Sequence, residues 1–187
     1  MKPFTTVLLL LFSCGALAAD NNETKTVQSK DKCIQVTLPK GWEATAISEP
    51  SPTVQARCIA AKLSEPDADL IVISEPKSTY HSLKEMADVL INSHKKASFE
   101  DIVVTEPRTV KVNGQDALQF GFHGTRKKSR FVAISSCIES STRWNCIQVF
   151  TTQSQLDKVQ DQIDAITKSF KELPKEQQSK ESPKNGP

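Results

Sequence analysis

Histidine, glycine and aromatic residues are scarce in this chain: 3 His, 6 Gly, 2 Trp and 1 Tyr in 187 residues. The few glycines form neither a phosphate-cradling loop pattern nor a nucleophile elbow. None of His81, His94 and His123 has the i, i+4 partner of a helical metal site. Charge of one sign is lacking too. With 24 basic against 22 acidic residues the formal net charge is +2, too little for the field of a dedicated nucleic-acid binder. Long hydrophobic runs are also missing. The apolar run VLLLLF at Val7 to Phe12 falls far short of the ~20 residues of a membrane-spanning helix.

What the N-terminus does hold is an export pattern. Lys2 precedes the apolar run, and Ala16-Leu17-Ala18 supplies small residues for cleavage after Ala18 or Ala19, so residues 1–19 read as a signal peptide. Leu11-Phe12-Ser13-Cys14 also resembles a bacterial lipobox, so the alternative to a periplasmic or secreted protein is a lipoprotein anchored at Cys14. Either way Cys14 takes no part in the fold.

Four cysteines remain, Cys33, Cys58, Cys137 and Cys146, and their spacing matches no C-x-x-C redox or zinc pattern. An even number in an exported chain predicts disulfides. The segments RFVAISSCIE and RWNCIQVFTT, from Arg130 to Thr151, read as a hairpin turning at Ser141 and Thr142. Counting outward from a two-residue loop sets Cys137 opposite Cys146 at a close, non-hydrogen-bonded position. That pairing leaves Cys33 with Cys58.

The length suits one domain with tails. A polar leader over 20–31 is expected to be disordered, as is the charged, Pro-containing tail over 174–187; the domain spans 32–173. KCIQVTLPKGW alternates as a strand up to Pro39, and Val54 to Leu63 and Asp69 to Ser74 read as two more strands. LIVI is apolar on both faces, which predicts a sheet with helices on each side. A helix follows from Ser78 to about Phe99, capped by Ser78 or Thr79, with Leu83, Met86, Ala87, Leu90, Ile91 and His94 on one stripe. Asn113-Gly114 predicts a type I′ hairpin turn. Thr152 or Ser154 caps the last helix, whose stripe is Leu156, Val159, Ile163, Ile166 and Phe170.

No catalytic, metal or cofactor residues emerge from this reading. His94 reads as a packing residue on its stripe, and Trp42 as a lid over an edge of the core. The sharpest polar feature is the run Arg126-Lys127-Lys128 with Arg130. Four cations on a loop joining two strands suit a phosphate, a lipid headgroup or an acidic partner surface, or else form a solvated tip that blunts aggregation.

The order of these elements, with VTLPKGW near the start, VNGQDA in mid-chain, a long hairpin and a closing helix ending ITKSF, resembles the PsbP-like superfamily over about Lys32 to Leu173. That group includes an extrinsic protein of photosystem II, a yeast Ran-binding protein and DcrB-like bacterial envelope proteins. The resemblance implies an α+β fold, an antiparallel sheet between helices in an α/β/α sandwich, used mainly to bind macromolecules and carrying no catalytic residues. The cysteine pairs are not part of that pattern and read as an adaptation to an oxidising compartment. The expected function is a non-enzymatic exported accessory protein that engages an envelope protein. The alternative is a carrier or sensor of a small amphipathic or anionic ligand held between helix and sheet.

Overall fold

The computed structural model describes residues 24–46, 52–96, 99–126 and 128–174. Residues 1–19, expected to be a signal peptide and including Cys14, and the tail beyond Pro174 lie outside the described residues. In chain order the elements are β1 (Lys25–Gln28), β2 (Ile34–Leu38), β3 (Trp42–Thr45), α1 (Pro52–Ala56), β4 (Cys58–Leu63), β5 (Ala68–Pro76), α2 (Leu83–Lys96), β6 (Glu100–Val104), β7 (Arg108–Val112), β8 (Gln115–Arg126), β9 (Ser129–Glu139), β10 (Arg143–Thr152), α3 (Leu156–Ser169) and β11 (Lys171–Glu172).

The long hairpin forms the middle of the main sheet, whose order is β3-β4-β5-β10-β9-β8-β6, with β7 also paired to β8. Every pairing in it is antiparallel. Ser140 N donates to Arg143 O at 3.1 Å, closing the two-residue loop Ser141–Thr142. From that hydrogen-bonded pair the ladder alternates, so Cys137 opposite Cys146 falls on a close pair without mutual backbone bonds. The register matches the count made from sequence.

Because side chains alternate along a strand, the same register sorts the hairpin's residues between two cores. Cys137, Trp144 and Cys146 join Phe120 beneath Met86 and Ala87 of α2. Ile138, Ile147 and Val149 face the other way and pack with Val159, Ile163, Ile166 and Phe170 around α3. A second sheet, β1-β2-β11, lies on the α3 side, where β2 packs against that helix. The result is the α+β architecture expected, an antiparallel sheet with a helix on each face.

The hairpin also buries polar groups, and these are paired. Asn145 is wholly buried; its Oδ1 accepts from Ser74 Oγ at 2.7 Å and its Nδ2 donates to Ser140 Oγ at 2.9 Å. Arg143 Nε donates to Ser74 Oγ at 2.6 Å. This network ties β5 to the turn of the hairpin.

Several sequence expectations are corrected. Lys25–Gln28, placed in the disordered leader, is a strand, because Val27 opposite Val36 lets it pair with β2 and cover that strand's edge. Val54 to Ala56, read as the start of a strand, belongs to the short helix α1; Pro52 opens it, since a proline at the first helical position loses no intrahelical bond. The cap of α2 is Ser82 rather than Ser78 or Thr79. Ser82 Oγ accepts from Glu85 N at 3.1 Å, while Glu85 Oε2 accepts from His81 N at 2.6 Å, one residue before the cap that a capping box would use. Helix α3 begins after Gln155, without a side-chain cap from Thr152 or Ser154. Asn113 and Gly114 take φ of 51° and 81°, the conformation that the Asn-Gly turn predicted.

Asn145→Ala should lower stability by about 1–3 kcal/mol, because Ser74 and Ser140 each lose a buried partner. Thr26→Ala, at an exposed pair on β1, should change it by less than about 0.5 kcal/mol. Urea unfolding of the two variants checks the contrast.

Candidate functional site

The four cysteines do not converge on one place. All are buried, and no sulfur–sulfur bond joins them among the described residues. Cys137 and Cys146 bring their Sγ atoms to 3.7 Å. Cys33 is elsewhere: it belongs to the α3 cluster, and its backbone N donates to Ser29 Oγ at 3.1 Å. Cys58 lies in the register row that runs through Ile73 to Cys146, on the α2 side. Cys33 thus sits in the α3 cluster, whereas Cys58 stands in the row on the α2 side.

His94 is the histidine that the fold uses. It stacks on Phe122 at 5.0 Å between ring centroids and meets Phe150 edge-on at 5.9 Å. Gln148 Nε2 lies 3.0 Å from His94 Nε2 and 3.1 Å from Ser135 Oγ, so the amide is interposed between hydroxyl and imidazole. That arrangement packs the helix onto the sheet; it does not set a base against a nucleophile. His81 is exposed, and His123 Nδ1 bonds Gln153 Oε1 at 3.2 Å. Among the described residues no group of three or more His, Cys, Asp or Glu is placed to hold a metal ion.

The basic run caps the hairpin between β8 and β9. Arg126 pairs with Ser129 in register, and Lys128 takes φ of 68° at the turn; Lys127 and the Arg126 side chain lie outside the described residues. Lys128 and Arg130 are exposed. Lys62, Lys77, Lys84 and Lys111 each hold a carboxylate within 4.0 Å, whereas Lys128 and Arg130 hold none among the described residues. Their charge is thus left open to solvent.

A cleft that the sequence reading missed lies between α2 and the edge of the main sheet. Strands β6 and β7 pair with opposite halves of β8, and Thr105 bridges the gap: Thr105 N donates to Gly121 O at 2.9 Å and Thr105 Oγ1 accepts from Gly121 N at 2.6 Å. A Cβ on Gly121 would sit 3.3 Å from Thr105 Oγ1, so glycine allows this close approach. The interrupted edge leaves about 520 Å³ open, floored by Ala87, Ile91, Val104 and Leu118 and flanked by Lys84 and Lys95. The helical half was legible in the α2 stripe. Val104 and Leu118 were not, since nothing local says that they face that helix.

This geometry can be set beside known proteins. No protein-family model and no curated protein matches the sequence. Solved structures do match: cyanobacterial PsbP (CyanoP) from Synechocystis superimposes with a TM-score of 0.62 at 17% identity, covering 87% of this chain and 99% of that one. The fold is PsbP-like. LpqN of Mycobacterium tuberculosis, described as involved in cell envelope biogenesis, shares this PsbP-like arrangement with a TM-score of 0.55 at 10% identity, over 81% of this chain and 91% of that one. The PA94 protein of Pseudomonas aeruginosa, described as a putative regulator, reaches 0.50 at 10% identity, over 81% and 98%. These likenesses agree with the fold that the resemblance read from VTLPKGW, VNGQDA and ITKSF implied.

Burial holds the His94 imidazole below its ordinary value near 6.5. The unfolded chain therefore takes up the proton first as pH falls, so this contribution to stability is present above about pH 6.5 and is lost below it. Urea midpoints at pH 7.5 and 5.0 should show a smaller drop for His94→Gln than for the wild type; equal drops would assign the pH dependence to other groups.

Proposed function

We propose that this chain is an exported, non-catalytic accessory protein that binds a protein partner in the bacterial envelope. One observation carries the reading. The β8–β9 turn presents Lys128 and Arg130 without carboxylate partners among the described residues, next in sequence to Arg126 and Lys127. Exposed charges of one sign on a short turn steer an acidic surface and fix its orientation, while contributing little to the stability of their own fold. The envelope role of the LpqN-like neighbour and the signal-peptide pattern at 1–19 support the compartment. No helix among the described residues is long and apolar enough to cross a membrane, which agrees with a protein that acts beside the bilayer or is anchored at Cys14. A phosphate or lipid headgroup is the competing anion for the same turn.

Crosslinking in intact cells should capture a specific protein with the wild type and lose it when Arg126, Lys127 and Lys128 are all changed to Glu. Equal capture by wild type and variant would remove the turn from the interface. Loss of binding to anionic vesicles, with protein capture unchanged, would give the turn to lipid.

The cleft between α2 and β8 favours a second reading, a carrier of a small amphipathic ligand. Its floor is apolar, and its rim carries Lys95 and Glu106 beside Lys84, which is paired with Asp88. Lauric acid would then raise the melting temperature of the wild type and not of Ile91→Glu, since a ligand that binds only the folded state stabilises it by mass action. No shift with the wild type would reject the carrier.

A further inference from the structure

We infer that Cys137 and Cys146 are a modification site: they form a cross-strand disulfide, alone among the four cysteines, and form it before α2 docks on the sheet. Geometry selects the pair. The two residues face each other at a position without mutual backbone bonds, where Cα atoms stand about 4.5 Å apart, at the short end of the range that disulfides span. Their sulfurs are 3.7 Å apart, so side-chain rotation brings them to the bonded distance of about 2.05 Å while the backbone ladder stays in place.

The other combinations fail on distance or side. Cys58 is separated from Cys146 by the intervening strand β5, with Ile73 between them in the row, which puts the two about 9–10 Å apart. Disulfides do not bridge Cα separations beyond about 7 Å. Cys33 belongs to the cluster that holds Val159, Ile163 and Ile166 on the α3 side, whereas the other three stand in a row that faces α2.

The timing follows from burial. Cys137 and Cys146 are both 0% exposed, covered by Met86 and Ala87 of α2 with Trp144 alongside. Trp144 Nε1 bonds Lys77 O at 3.1 Å and Tyr80 O at 3.0 Å, holding down the segment that leads into the helix. Burial and the adjacent Cys137 also push the Cys146 thiol well above its ordinary value, which keeps Cys146 from acting as the attacking thiolate in the folded protein. With oxidised glutathione as oxidant, one cysteine thiolate attacks its S–S bond and releases one reduced glutathione. The second cysteine then attacks the protein–glutathione mixed disulfide and releases the other. Two thiols are oxidised, one disulfide is reduced, and two electrons pass between them. The mixed intermediate places a whole glutathione on a sulfur that α2 covers, so the exchange belongs to a state in which the hairpin is formed and the helix is not yet docked.

The test uses the wild-type protein in a buffer of oxidised and reduced glutathione, with thiols trapped by alkylation and trypsin cleaving after Arg143, between the two cysteines. Reduced, denatured chain allowed to refold in this buffer should yield Cys137 linked to Cys146, with Cys33 and Cys58 recovered as alkylated thiols. Reduced protein that is already folded should gain the same bond at least about tenfold more slowly, and the rate should rise as sub-denaturing urea opens the helix. Linkage through Cys33 or Cys58, absence of the Cys137–Cys146 bond after refolding, or equal rates from folded and unfolded protein would each overturn the inference.

Discussion

The register of the β9–β10 hairpin is the constraint on which the rest of the structure depends. A two-residue loop closed by Ser140 N to Arg143 O leaves one way to pair the strands. Because side chains alternate with a period of two, a slip of one residue would send Cys137, Cys146 and Trp144 to the α3 side and Ile147, Val149 and Asn145 to the α2 side. Both cores would then lose their fit, and Asn145 would leave Ser74 and Ser140 without their buried partner. β10 also pairs with β5, so an error here would carry into the outer strands.

The two faces of the sheet are covered unequally. The α3 face has both a helix and the small β1-β2-β11 sheet, whose Ile34, Val36 and Leu38 are fully buried. The α2 face has one helix, held by Met86, Ala87 and the His94 stack on Phe122. Beside that helix the interrupted edge at Thr105 leaves apolar residues reachable from solvent. The α2 side thus keeps an apolar cleft open, while the polar groups of Asn145 and Gln148 are spent on holding elements together.

Much of the fold was legible because its signals are local. The apolar stripes of α2 and α3 recur at helical spacing, Asn113-Gly114 demands positive φ at both positions, and the cysteines count outward from a short loop. Elements with polar sequences were missed. KTVQ and KE become strands only because β2 offers them an edge to pair with, which no window of either segment reveals. The basic turn was found because its charges are consecutive. The cleft was not, because its lining comes from α2, the link after β6, and β8.

Periodicity and turn chemistry within short stretches of chain were enough to place α2, α3 and the long strands and to register the central hairpin. Only the tertiary structure decided that Cys33 and Cys58 lie on opposite sides of a sheet while Cys137 and Cys146 lie side by side. It alone decided that Gln148 stands between Ser135 and His94, and that α2 leaves a cleft at the broken sheet edge. The reason is physical: such contacts join residues far apart along the chain, and they are set by how whole faces pack rather than by any residue's neighbours.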